Sequence, residues 1–142
     1  MSEIDPIDRM RELNKKIVDP ELWADMHQQI IDFLPDGLLV VDSQGMVKVV
    51  NQRLERMFGY NRLHLIGQSF DILLPDETKE RHGALFASYF LDPTVRPMHG
   101  SRALEGQTAM GSRITVQISL GPLVGQRGIW AMALIRRVDS GP

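Results

Sequence analysis

Gly37-Leu-Leu-Val-Val-Asp-Ser-Gln-Gly-Met-Val-Lys-Val-Val-Asn51 decides how the rest of the chain is read. Two runs, Leu38 to Asp42 and Met46 to Val50, are rich in residues that suit a pleated, half-buried surface, and Ser43-Gln44-Gly45 joins them as a short glycine-containing connection. The pattern predicts an antiparallel hairpin. Asn51 then stands where a side-chain oxygen can accept from the unpaired N–H groups of a new helix, so Gln52 to Phe58 is expected to start directly out of the second strand. Gly59 supplies the left-handed residue that closes such a helix. Asn51 is thus read as a structural cap, with a pocket hydrogen-bond donor as its alternative role.

Downstream, Asn61 can cap one more turn through Leu63 and Leu65, and Phe70, Ile72, Leu73 and Leu74 read as core residues after a loop. Pro75 and Asp76 open the longest later helix, to about Leu91, with Leu85, Phe86, Tyr89 and Phe90 on its apolar face. Asp92-Pro93 ends it. Pro97 to Leu104 is expected to be an irregular third strand. Ser112 to Leu120 alternates, with Ile114, Val116, Ile118 and Leu120 on one face, and Gly121-Pro122 is expected to interrupt it. After a turn at Gly125 to Gly128, Ile129 to Val138 carries Trp130, Met132 and Leu134 in alternation as the last strand.

Upstream, Ile7, Met10, Leu13 (or Asn14) and Ile17 recur at helical spacing after an Asp5 cap. Asp19-Pro20-Glu21 restarts a helix on which Trp23, Met26, Ile30 and Phe33 or Leu34 form a second stripe. The stripes either cover the chain's own sheet or join a two-fold partner, the expected homodimer interface being Ile7, Met10, Leu13, Ile17, Trp23, Met26 and Ile30. The division read from this pass is helices at 1–34, one α+β domain at 35–139 and a tail at 140–142.

The totals set the outer bounds. With 142 residues, 43% hydrophobic and 24% charged, the chain can bury one core. A formal charge of −2 without a basic cluster gives no field for nucleic acid. No apolar run nears the roughly 20 residues of a membrane span and the N-terminus is no signal peptide, so a cytoplasmic location without membrane contact is expected. The chain has no cysteine, which removes disulfides, thiolate chemistry and cysteine-based metal sites together. No nucleophile, base and orienter stand at motif spacing, and the four histidines, at 27, 64, 82 and 99, match no common zinc site. Neither an enzyme nor a metal site is expected.

Gly37-Leu-Leu-Val-Val-Asp42, Gly45, Asn51, Met57-Phe58-Gly59-Tyr60, Leu65-Ile66-Gly67 and Leu73-Leu74-Pro75, continued by His82, Tyr89-Phe90 and Ile118-Ser-Leu-Gly-Pro-Leu123, resemble a PAS domain. The order and spacing of these pieces carry the resemblance over about three-quarters of the chain. It implies a five-stranded antiparallel sheet of order 2-1-5-4-3 with helices on one face, serving as a sensory or dimerising module. Its owner, by family habit, would be a histidine kinase, a cyclic-dinucleotide enzyme or a transcriptional regulator that supplies the output domain. Helices between strands two and three would leave a pocket for a small ligand, lined by some of Leu39, Val41, Val49, Met57, Phe70, Leu85, Tyr89, Ile118 and Leu134. Where many relatives carry a basic turn, this chain has Gln107-Thr-Ala-Met-Gly111, and Arg137-Val-Asp-Ser140 matches the usual exit only in part.

The resemblance bears on cofactors too. Covalent flavin photochemistry, used by some PAS light sensors, needs a cysteine thiol and is excluded. Haem-binding oxygen-sensing PAS kinases ligate iron with a histidine on the long helix and carry an arginine twenty residues later, as His82 and Arg102 do here. Phe86, Tyr89, Phe90 and Met98 are bulky enough to fill that volume, so no cofactor is expected. A ligand-free dimerisation scaffold and a haem-based gas sensor are the alternatives.

Overall fold

The computed structural model describes residues 5–17, 19–96 and 103–138, and within its helices leaves the side chains of residues 13–17, 84, 85 and 88 undescribed. Two helices, α1 (Pro6–Ile17) and α2 (Pro20–Asp32), precede strands β1 (Gly37–Val41) and β2 (Val47–Val50). Helices α3 (Gln52–Phe58), α4 (Arg62–Leu65), a 3-10 turn at Phe70–Leu73 and α5 (Asp76–Leu91) lead to β3 (Leu104–Gln107), β4 (Arg113–Gly125) and β5 (Gly128–Arg137). The strands form one antiparallel sheet in the order β2-β1-β5-β4-β3.

Local chemistry accounts for the boundaries. Asp5 accepts from the Ile7 N–H at 2.8 Å, and Asp19 from those of Glu21 and Leu22, so both N-terminal helices begin on capped aspartates. In the β1–β2 turn Asp42 accepts from the N–H groups of Gln44 and Met46 at 2.9 and 3.0 Å, and Gly45 takes φ 82°. Burial opposes ionisation of Asp42. Those two N–H donors and the Lys48 ammonium outweigh it and hold the carboxyl below its ordinary range. Gly59 closes α3 at φ 77° and sends its N–H back to the Glu55 carbonyl.

Both faces of the sheet are covered, and all five residues of β1 are buried. On the inner face Leu39, Val41, Val47, Val50, Ile114, Val116, Ala131, Ala133 and Ile135 pack with Leu54 and Phe58 of α3, Leu65, Leu73 and Tyr89. On the outer face Leu38 and Val40 pack with Ile31 of α2, and Leu34, Val49, Trp130, Met132 and Leu134 complete the cluster. Val49 and Leu134 therefore lie on the opposite side of the sheet from the space they were expected to line. The pairing Leu38↔Leu134 beside Leu39↔Ala133 fixes this, since alternate residues of a strand point to opposite faces.

Two strand expectations are also corrected. β3 runs Leu104–Gln107, past the end of the expected span, whose residues 97–102 lie outside the described residues. β4 runs straight through Gly121-Pro122, which pair with Met132 and Ala131. Leu120 exchanges both backbone hydrogen bonds with Arg96, at 2.7 and 2.8 Å, on the side away from β5. Residue 122 points its nitrogen the same way, past the last described partner, so proline there removes no bond to β5. A turn forms at Thr108 to Ser112, with Gly111 at φ 85°.

Gly106 in β3 lies close against Phe58 of α3. A Cβ there would lie 2.7 Å from Phe58 Cε1 and 3.5 Å from the Leu73 carbonyl oxygen. Phe58 is itself buried and has nowhere to retreat. Gly106→Ala is expected to destabilise by about 1–3 kcal/mol through overpacking, read as a lower urea midpoint at unchanged slope.

Candidate functional site

Between the inner face and α5 the side chains are mostly aromatic. Phe70, from the 3-10 turn, lies 5.1 Å from Phe86 between ring centroids. Phe86 lies 5.0 Å from Phe90, and Phe90 lies 5.7 Å from Tyr89. Phe86, Tyr89 and Phe90 recur at three and four residues along α5, which brings them onto one flank of the helix. Ser69 starts the turn that carries Phe70 by accepting from the Asp71 N–H at 3.2 Å. At the far end Tyr89 is buried, its hydroxyl donates to the Thr94 carbonyl at 3.0 Å, and the Arg96 guanidinium lies 5.0 Å over its ring. Burial pushes the Tyr89 phenol up, Arg96 opposing in part, so it stays a protonated donor.

His82 stands at the other end of this wall. Its ring meets Phe70 edge-on at 5.3 Å, and its Nδ1 is buried without a hydrogen-bond partner among the described residues. Burial pushes the imidazole below its ordinary value, with the Asp71 carboxylate opposing. A neutral imidazole with one unpaired nitrogen facing aromatic rings can accept or donate one hydrogen bond, according to its tautomer. Because the folded pKa lies below the unfolded value of about 6.5, the contribution of His82 to stability is fully present above that value. It is lost as pH falls below it. Urea midpoints are expected to drop between about pH 7 and pH 5, and His82→Phe to flatten that part of the profile.

Asn51 does more than cap a helix. It is fully buried, and its Oδ1 accepts from the N–H groups of Leu54 at 3.0 Å and Leu38 at 2.9 Å. Its Nδ2 donates to the carbonyls of Ile31 at 2.9 Å and Asp36 at 3.0 Å. One amide thus joins the end of α2, the start of β1 and the start of α3. The cap was legible in its position between a strand and a helix; the three other bonds come from residues 13 to 20 positions away and leave no local signal.

Of the residues expected to line a pocket, Leu39, Val41 and Tyr89 belong to the inner core, and Met57, Phe70 and Ile118 pack half-buried against it. The Leu85 side chain lies outside the described residues, as does Arg102, the expected partner of His82. Arg96, which closes over Tyr89, was not singled out in the sequence, because its place depends on pairing with Leu120, 24 residues on. On the N-terminal helices Ile7 and Met10 are half-buried, with α1 lying against β4. Trp23, Met26 and Ile30 are exposed, and the side chains of Leu13 and Ile17 are among those undescribed. Among the described residues no helix is long and apolar enough to cross a membrane.

The sheet order and the helices between the second and third strands match one fold family, and the family model for the PAS fold matches residues 25–136. This chain belongs to the PAS family. The match begins inside α2, in keeping with Ile31 being part of the outer core. Over 96 residues this PAS domain is 26% identical to the sensor protein FixL of Bradyrhizobium diazoefficiens, covering 68% of the chain and 19% of that protein. Over 103 residues it is 24% identical to the cell-division control histidine kinase PdhS of Brucella ovis, covering 72% of the chain and 10% of that protein. The chain spans a fifth or less of the length of these relatives. A PAS domain from Colwellia psychrerythraea has the same fold, with a TM-score of 0.68 at 18% identity over 81% of this chain and 96% of that one.

Proposed function

We propose that this PAS domain is the sensory module of a histidine-kinase-type signalling protein and that its sensing site is the wall formed by Phe70, His82, Phe86, Phe90 and Tyr89. The observation that carries this reading is the buried, unpartnered Nδ1 of His82 among aromatic rings. A buried polar atom left unpaired is costly, and such groups gather at sites where a ligand completes them. The ligand class follows: a small, mostly apolar molecule carrying one hydrogen-bonding group. Relationship to a sensor protein and a histidine kinase supports the signalling role, with the output domain supplied outside this chain. The domain itself is not a catalyst in this reading.

Haem is outside the proposal. Phe70, Phe86, Phe90 and Tyr89 touch one another in an unbroken series beside His82, so a porphyrin would have to displace several rings to reach the imidazole. Titration of the purified chain with hemin is expected to give no Soret band that depends on His82. A sharp band lost in His82→Ala, with the fold intact, would make the domain a haem sensor.

The second part of the proposal is a homodimer through α2, supported by the exposed Trp23, Met26 and Ile30 on a helix anchored in its last turn by buried Ile31. Light scattering is expected to give a dimer mass for the full chain and a monomer mass for Trp23→Glu/Ile30→Glu. Monomer masses for both would leave α2 without a partner.

A further inference from the structure

Besides a long bond from Gln28 Nε2 to the Val50 carbonyl at 3.4 Å, the last turn of α2 is held at two points of different character. One is the buried bond from Asn51 Nδ2 to the Ile31 carbonyl. The other is Asp32, whose Oδ1 accepts from Gln28 Nε2 at 3.0 Å, from the Gln52 N–H at 2.7 Å and from Arg62 Nη2 at 3.4 Å. Gln52 opens α3 and Arg62 opens α4. Arg62 in turn grips α3: its Nε and Nη2 reach Glu55 Oε1 at 2.7 and 2.6 Å, and its N–H reaches Glu55 Oε2 at 3.1 Å. One guanidinium therefore spans carboxylates on α2 and α3 from a seat on α4.

We infer that Arg62 is the releasable joint of a latch that makes α2 follow α3 and α4. Apolar packing does not hold α2 along its length, because Ile31 near its end is the residue buried against the sheet while Leu22, Trp23, Met26 and Ile30 are exposed. The polar contacts at its end therefore set its direction. The side chains of Asp32, Glu55 and Arg62 are 26%, 19% and 30% exposed, so water reaches the ion pairs and they are weak enough to break and re-form. Asn51, itself fully buried, stays as the pivot. Below it, Asp36 is fixed twice, by its carbonyl to Asn51 and by its carboxylate to Arg136 of β5 at 3.0 and 3.3 Å, so the short connection 33–36 is anchored where β1 begins.

The same two helices carry Leu54, Phe58 and Leu65 into the inner core. A shift of these helices is thus passed to α2 more fully when Arg62 bridges than when it does not, and the exposed face of α2 turns with it. This coupling does not depend on the sensing site proposed above, and its test needs no ligand.

Hydrogen exchange followed by mass spectrometry on the full chain reads it. In Arg62→Gln the amides of the second half of α2 are expected to exchange roughly five- to tenfold faster, with β4 and β5 unchanged. Asp32→Asn keeps an acceptor for the Gln52 N–H but loses the charge facing Arg62, and should give the same α2 effect. The double variant should add nothing, because both changes open one joint. Arg113→Gln, which breaks the pairs with Glu77 and Glu105, should leave α2 as it was. Unchanged exchange of α2 in Arg62→Gln would overturn the latch. So would a rise spread evenly over sheet and helices, which would make Arg62 a general stabiliser.

Discussion

Asn51→Ala is expected to lower the unfolding free energy by about 3–5 kcal/mol, well beyond the ~1 kcal/mol of an ordinary cap. The substitution strands two N–H donors, of Leu38 and Leu54, and the Ile31 carbonyl in buried positions, and the Asp36 carbonyl in a partly buried one. Each such group forfeits a partner it cannot replace. Asn61 gives the control: it accepts one bond, from the Leu63 N–H at 2.9 Å, at an exposed site, so Asn61→Ala should cost no more than about 1 kcal/mol. Asn51→Asp keeps the two acceptor contacts but loses both donors and buries a charge, so it should resemble the alanine variant. Equal urea midpoints for Asn51→Ala and Asn61→Ala would reduce Asn51 to a cap.

Tyr89→Ala should cost a similar amount, about 3–5 kcal/mol, by leaving a cavity at the junction of α5, the 92–96 segment and β4. Tyr89 is 3% exposed, and it is the residue over which Arg96 lies and to which the Thr94 carbonyl bonds. Tyr89→Phe keeps the ring and loses only the hydroxyl, so about 1 kcal/mol is expected. Denaturant melts of the pair separate volume from hydrogen bond. A Tyr89→Phe loss as large as that of alanine would mean that the bond to Thr94, and not the ring, holds the segment down.

The order of elements was legible because local signals recur at every junction: aspartate caps before α1 and α2, the Asp42 and Gly45 turn, Asn51 before α3, Gly59 after it. The strand order came with the family resemblance, since pairing of β1 with β5 joins residues about a hundred apart that no local pattern links. What failed failed for physical reasons. Trp130, Met132 and Leu134 alternate as a buried face should, yet alternation cannot say which face when both are covered, and α2 buries the outer one. Pro122 looked like a strand end because its missing N–H was counted without knowing which side of β4 it faced. Within the site, His82 was visible as a histidine on a long helix, while the pairing of Phe70 with it, the closure by Arg96 and the Asp32–Arg62–Glu55 group exist only once the helices are folded together.

The sensing site stands or falls on an NMR titration of the full chain with n-butanol, a small apolar probe carrying one hydroxyl, read at the imidazole nitrogens of His82 and the rings of Phe70 and Phe86. A hydroxyl that completes Nδ1 should shift both sets of resonances together along one saturable curve, while His82→Phe, with its fold intact by circular dichroism, should lose the saturable response. Resonances at His82 that stay still while shifts gather on the exposed side chains of α2 would contradict a sensing site on the inner face.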